Sequence, residues 1–316
     1  MAGLRALVKK DPDAIQNLIQ RLNLDVLCLQ ETKLQESHLD DPKVTLPVVK
    51  GYDAHYSCST AKKGYSGTAV FIRKRGGANK QKAKQTTMDA FVKNSNKKNK
   101  EEAGENDGAP DEDVIPIDAK YLKPEQVSMS MGVDKHDAEG RIIVMDFPLF
   151  TAVNLYVPNS GQKLERLDYR TKEWDKDMLA FMQSKQKERG VPVLWLGDLN
   201  VAHTGLEVWN DGAKHLAKQA GVTAEERESF QAQLDAGFVD AFRKLHPDAK
   251  GHYSYWSTRA GNREPNKGLR LDYFVCDPAF FEETSKVVVR DSYMVEDQNG
   301  SDHCPVVLEI EIKNHA

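Results

Sequence analysis

Apolar residues along this chain recur in two rhythms. The stretches 25–31 (DVLCLQE), 67–73 (GTAVFIR), 140–147 (GRIIVMDF), 150–158 (FTAVNLYVP) and 191–199 (VPVLWLGDL) are short, nearly continuous apolar runs, which predicts strands. Three more follow late in the chain: 269–276 (LRLDYFVC), 286–294 (KVVVRDSYM) and 304–312 (CPVVLEIEI). Residues 11–23 carry apolar side chains at 15, 18, 19 and 22, a helical spacing. That pattern predicts an amphipathic helix with Asp11 as N-cap and Pro12 at its first position. The stretches 163–189 and 223–245 read as mostly helical. Many short apolar strands, some with few helices between them, predict an α/β fold of two packed sheets flanked by helices.

Composition bounds this picture. The chain has 316 residues, 40% of them hydrophobic, and a net charge of −4. That is ample for one large two-sheet domain over 1–316. No apolar run approaches the roughly 20 residues needed to span a bilayer, so no membrane partner is expected. The opening MAGLRALVKK lacks the apolar core of a secretory signal. Cys28, Cys58, Cys276 and Cys304 are scattered, with no C-x-x-C pair, so they read as small buried hydrophobes in a reducing compartment. One region departs from the average. Residues 73–100 hold ten Lys or Arg against one acid, and 101–118 hold eight acids and no base. Neither block has enough apolar surface to offset its ordering entropy, so 76–120 is expected to be a disordered charged insertion within the domain.

The chemistry gathers where apolar strands end. PVLWLGDLNVAH runs from a buried-looking strand into Asp198 and Asn200, which share a face because strand residues two apart point the same way. Glu31 ends VLCLQE, Tyr156 and Asn159 end the strand near 150–158, Asp272 lies within RLDYF, and Asp302 with His303 precedes the last strand. Glu31 with Asp302 or Asp198 offers hard oxygen donors suited to Mg²⁺ or Mn²⁺. His303 with Asp272 offers an imidazole whose charge a carboxylate fixes, and Asp198 with Asn200 offers a group to orient and deprotonate water. Together these describe metal-assisted phosphodiester hydrolysis. Taken singly, each piece has an ordinary reading: a solvated strand-end glutamate, a capped turn at Asp302–His303, an Asx-turn at GDLN, a rim aromatic at Tyr156, an Asp272–Arg270 pair.

The ordered set LQETK (29–33), GYSG (64–67), EGR (139–141), YVPNSG (156–161), GDLNVAH (197–203), RLDYF (270–274) and SDHCPV (301–306) resembles the exonuclease III family of apurinic/apyrimidinic endonucleases. That family lies within the endonuclease/exonuclease/phosphatase superfamily. The resemblance spans the chain apart from the charged insertion. It implies a four-layer α/β sandwich of two mixed sheets between helices, of the deoxyribonuclease I type. It also implies a Mg²⁺-dependent DNA repair nuclease that cuts 5′ to abasic sites in double-stranded DNA, with 3′-phosphodiesterase and 3′–5′ exonuclease activities as companions. In this resemblance Glu31 ligates the metal, and the metal neighbourhood takes in Asp198, Asn200, Asp302 and His303. Asp198 activates the water, Asn200 positions it, His303 held by Asp272 contacts the phosphate, and Tyr156 stabilises developing charge. Arg141 and Asn159 match DNA backbone contacts, and Tyr255, Leu269 and Leu271 match the pocket for the extruded abasic sugar.

Two positions depart from the family pattern. Members usually open with a strand like SWNVNGLRA, whose asparagine helps hold the metal, whereas this chain opens MAGLRA with Ala2 at a position often acidic or amide. The expectation is that this strand and its asparagine are missing, that a sheet edge is left open, and that Met1 is internal to a longer protein; mass spectrometry of the native N-terminus decides. Leu269 stands where some eukaryotic relatives have tryptophan, so the sugar pocket is expected to be looser. Within the insertion, QTTMDAFV presents Gln85, Met88 and Phe91 in the manner of a sliding-clamp (PCNA) motif, with Val92 in place of the second aromatic; chance and clamp binding weigh evenly. The basic cluster there reads as a nuclear import signal, a DNA tether or a solvated loop, with a nuclear (or organellar) monomer as the expectation. The competing functions are a superfamily phosphatase acting on inositol phosphates, and a non-catalytic DNA-binding or clamp-tethered scaffold.

Overall fold

The computed structural model describes residues 3–41, 44, 46–47, 49–74 and 119–313. Two helices, α1 (Leu4–Lys10) and α2 (Ala14–Leu22), lead into strands β1 (Val26–Gln30), β2 (Tyr52–Ser57) and β3 (Thr68–Arg73). These strands form an antiparallel sheet with β3 in the middle. Leu4, Val8, Ile15 and Ile19 of the helices are buried against Leu27, Leu29, Ala69 and Phe71, so the helices cover the outer face of this sheet.

A six-stranded mixed sheet follows, built from β4 (Gln126–Ser128), β5 (Ile142–Asp146), β6 (Thr151–Tyr156), β7 (Val193–Asp198), β8 (Val239–Asp240) and β9 (Asp272–Cys276). Its order is β4-β5-β6-β7-β9-β8, with β6 and β7 parallel and the other neighbours antiparallel. The near-continuous apolar runs are explained by burial on both faces. Ile143, Met145, Ala152 and Leu194 join Val70 and Ile72 of β3 in the core between the sheets. Ile142, Val144, Val153 and Trp195 face the other way, against Trp174, Met178, Met182 and Phe230. Those last residues belong to a π-helical segment (Tyr169–Trp174) and to helices α3 (Asp175–Arg189) and α4 (Ala224–Asp235). The result is four layers, helix–sheet–sheet–helix. A short helix α5 (Ala241–Leu245) precedes the final antiparallel pair, β10 (Val287–Met294) and β11 (Val306–Ile312), which closes the core between the sheets through Val287, Val289 and Ile312.

Several expectations shift in detail. The first helical turn after Asp11 does not form: residues 4–10 already make α1, and the Asp11 N–H closes it on the Leu7 carbonyl, so α2 starts later with Asp13 at its N-cap. β2 and β4 lacked an apolar run to announce them, since YDAHYS and QVS pair by register alone. Among the described residues, the parallel pair β6–β7 lies in the six-stranded sheet, and the strands of the facing layer pair antiparallel. Among the described residues, β1, β2, β10 and β11 each carry one edge without a strand partner, as do β4 and β8 at the ends of the six-stranded sheet. Cys276 and Cys304 are buried, but Cys28 and Cys58 are only half-buried, and all four are free thiols. The charged insertion, with Gln85, Met88 and Phe91, lies outside the described residues, save that Ala119 and Lys120 open a 3₁₀ turn (Ala119–Leu122).

Candidate active site

Strand register assembles the first row of the site. Tyr156 on β6 is the parallel partner of Asp198 on β7, and Asp198 is the antiparallel partner of Asp272 on β9. Three chemically active side chains from distant stretches therefore stand side by side at one end of the sheet. Gly197 makes this possible: its φ is 127°, and a Cβ there would lie 2.1 Å from the Leu155 carbonyl oxygen.

The GDLN turn is fixed from several sides. The Asn200 N–H donates to Asp198 Oδ1 (2.9 Å), and Asn200 Nδ2 donates to the Val157 carbonyl (2.9 Å). Asn159 Nδ2 donates to Asn200 Oδ1 (2.8 Å), and the buried Arg170 donates to the carbonyls of Leu199 and Asn200 (2.6 Å each). Asn200 is held at a φ of 50°, a left-handed backbone tolerated best by glycine and asparagine.

His303 arrives from the loop before β11, bridged by main chain to Tyr255, which in turn bridges Leu269. Its Nδ1 lies 2.7 Å from Asp272 Oδ2, and its Nε2 lies 4.0 Å from Asp198 Oδ2. Burial works to lower the His303 pKa, but Asp272 and then Asp198 outweigh it and raise it to about 9, so the ring is cationic at neutral pH. Burial pushes the Asp198 carboxyl up, helped by the Asp272 charge and opposed by His303. Asp302 is held below its usual value by His303 in spite of its own burial. Burial, with Asp198 and Glu31 nearby, drives Tyr156 upward, so its hydroxyl stays protonated and able to donate.

One cavity of about 470 Å³ unites these groups. Glu31, Tyr156, Asn159, Asp198, Asn200, Tyr255, Leu269, Leu271, Asp302 and His303 all line it, with Asp272 behind His303. Glu31 reaches it from the end of β1 with a left-handed backbone (φ 57°), and its carboxylate pairs with Lys33 at 3.1 Å. The donors facing the cavity include carboxylates, carboxamides and one imidazole, which suits a hard divalent cation in kind. Among the described residues, however, no three or more of the His, Cys, Asp and Glu side chains stand grouped closely enough to hold one.

Arg141, expected at a DNA backbone contact, is enclosed by its own neighbours. It is 1% exposed, and its guanidinium is taken up by Glu139, the Tyr156 carbonyl and the Tyr65 hydroxyl. Sequence reasoning missed Gln162, Lys218, Gln219 and Ala220 on the cavity wall. Gln162 directly follows YVPNSG and was within reach; the other three sit in a loop and 3₁₀ turn with no periodic signal. Also missed was Ser254, whose buried hydroxyl accepts from the N–H groups of Leu271 and Asp272 and so sets the start of β9.

The chain's likeness to known proteins is extensive. The model of the Endonuclease/Exonuclease/phosphatase family matches residues 4–303. An exodeoxyribonuclease of Bacillus subtilis is 36% identical over 311 residues, covering 98% of this chain and 96% of the relative. A DNA-(apurinic or apyrimidinic site) endonuclease of Dictyostelium discoideum is 33% identical over 314 residues, 99% of this chain and 69% of the relative. Among solved structures, an AP endonuclease of Leishmania major superposes with a TM-score of 0.76 at 29% identity, covering 99% of this chain and 86% of the other.

Proposed function

Because the chain belongs to the endonuclease/exonuclease/phosphatase family, we propose that its cleft makes it a DNA repair nuclease that hydrolyses the phosphodiester 5′ to an abasic site in duplex DNA. The observation that carries this reading is the single cavity shared by Glu31, Asp198, Asn200, Asp302 and His303. A divalent cation, Mg²⁺ with Mn²⁺ as substitute, would be held by Glu31 and Asp302, and when bound it neutralises charge on the scissile phosphate. Cationic His303, fixed by Asp272, offers Nε2 to a non-bridging phosphate oxygen. Asp198, oriented by the Asn200 N–H, holds the attacking water and takes its proton as the new P–O bond forms and the bond to the departing 3′ oxygen breaks. Tyr156, protonated, donates to charge that gathers on the phosphate or the departing oxygen.

The wall beside His303 supports selectivity for a missing base. Leu269 and Leu271 are buried, and the Tyr255 ring lies 5.0 Å from the His303 ring, so two leucines and a tyrosine ring supply an apolar stretch of that wall. A bare sugar fits such a surface, while an intact nucleotide brings a base that it does not accommodate. The test compares an abasic duplex with a soluble inositol phosphate, each with Mg²⁺ and with chelator. Metal-dependent incision of the duplex without phosphate release from the inositol supports the reading; the reverse pattern overturns it.

A further inference from the structure

The guanidinium of Arg141 lies behind Tyr156 rather than in the cleft. Main chain couples the two residues, since the Tyr156 N–H donates to the Arg141 carbonyl at 2.9 Å. Side chain couples them again: Arg141 Nη1 donates back to the Tyr156 carbonyl at 2.9 Å, and the guanidinium carbon lies 4.8 Å from the centre of the Tyr156 ring. The other two nitrogens are engaged as well. Nε donates to Glu139 Oε2 at 2.5 Å, and Nη2 donates to the Tyr65 hydroxyl at 2.8 Å, with the Tyr65 ring 5.2 Å from the cation. Arg166 closes the cluster from outside, donating to the same Tyr65 oxygen (2.5 Å) and to Glu139 Oε1 (2.7 Å).

We propose that Arg141 is a positioning residue for Tyr156, setting the plane of that ring and the aim of its hydroxyl into the cleft. The inference rests on the nuclease reading of that cleft. A guanidinium is planar and presents its donors in a fixed fork, so anchoring it at Glu139, Tyr65 and the Tyr156 carbonyl fixes its plane. A ring packed over that plane is fixed in turn, with an electrostatic attraction between cation and ring face. A lysine at this position keeps the charge but has neither plane nor fork. With its guanidinium enclosed, Arg141 acts on the substrate through Tyr156 and not by touching DNA.

The experiment is a double-mutant cycle on the full chain, using R141K, Y156F and R141K/Y156F, read as kcat and KM for a metal-supported abasic duplex. R141K is expected to lower kcat about tenfold to a hundredfold with KM within about threefold, and to add almost nothing once Tyr156 is Phe. A full additive loss in the double variant, an unchanged kcat in R141K, or a loss confined to KM that steepens with salt overturns the inference; the last pattern marks a DNA contact. If R141K does not fold by circular dichroism, Y65F takes its place, with a smaller kcat loss that likewise vanishes on the Y156F background. A Y65F loss that persists on that background overturns the inference. Wild-type kcat in Y156F overturns it too, while leaving the nuclease reading intact; absence of incision by the wild-type chain defeats that reading itself.

Discussion

Asp272 Oδ2 holds His303 Nδ1 at 2.7 Å, which leaves Nε2 directed at Asp198 Oδ2, 4.0 Å away. The first contact keeps the ring cationic, and the second places that cation beside the carboxylate that handles the water. Asp272→Asn removes the charge and keeps the shape. It is expected to lower the single-turnover incision rate about a hundredfold or more, with duplex affinity within about threefold, because the ring loses the partner that favours its charged form. Incision and binding assays on the same abasic duplex check this, and an unchanged rate counts against the pairing.

Glu31 stands apart from the six-stranded sheet, at the end of β1, on a backbone that residues other than glycine and asparagine seldom adopt. Glu31→Gln is expected to weaken cation binding at least about tenfold, raising the Mg²⁺ concentration needed for half-maximal incision. Calorimetry with Mn²⁺ reads the same change without any turnover. Equal Mn²⁺ affinity in both proteins removes Glu31 from the metal.

Gly197→Ala tests the strand that carries Asp198. The added methyl would meet the Leu155 carbonyl oxygen at 2.1 Å on a backbone with φ of 127°, so β7 and β6 must separate. A loss on the order of 3 kcal/mol or more in urea unfolding is expected. A variant of wild-type stability shows that the strands part at little cost.

Acid should loosen the support beneath the sugar pocket. Glu207 and Arg270 are each 1% exposed and paired at 2.9 Å, with Arg243 on the same carboxylate oxygen at 2.5 Å. Burial works to raise the Glu207 pKa, but Arg270 and the Thr204 hydroxyl dominate and bring it down to about 2. The folded value lies below the unfolded one, so this stabilisation is complete above the unfolded value near pH 4.5 and disappears as pH falls toward 2. Its full size is about 3 kcal/mol. Urea midpoints at pH 6 and pH 3 (about where most of the loss falls) should drop more for the wild type than for E207Q. Equal drops in the two proteins remove Glu207 from the acid response.

Much of this is legible in the sequence. Asp198 and Asn200 end a strand buried on both faces, and a run of apolar residues stopping at polar ones is visible in sequence. The layers were legible for the same reason, because Ile142 and Val144 oppose Ile143 and Met145 in separate cores. What sequence could not reveal was pairing across long separations. Arg141 reads as an available cation until Tyr65, 76 positions earlier, takes up one of its donors. The Lys218–Ala220 wall depends on where a loop without periodicity comes to rest. The start of α2 shifted because Asp11 serves the C-terminus of a helix that no pattern announced.

The most direct measurement is single-turnover incision of a 5′-labelled abasic duplex in Mg²⁺ by the wild-type chain and by His303→Asn, with the product ends mapped. The wild type should cut once, on the 5′ side of the abasic residue, leaving a 3′-hydroxyl. The variant should bind the duplex comparably and cut about a hundredfold more slowly or worse. Equal rates in the two proteins, or an intact duplex with the wild type, would contradict the role given to this cleft.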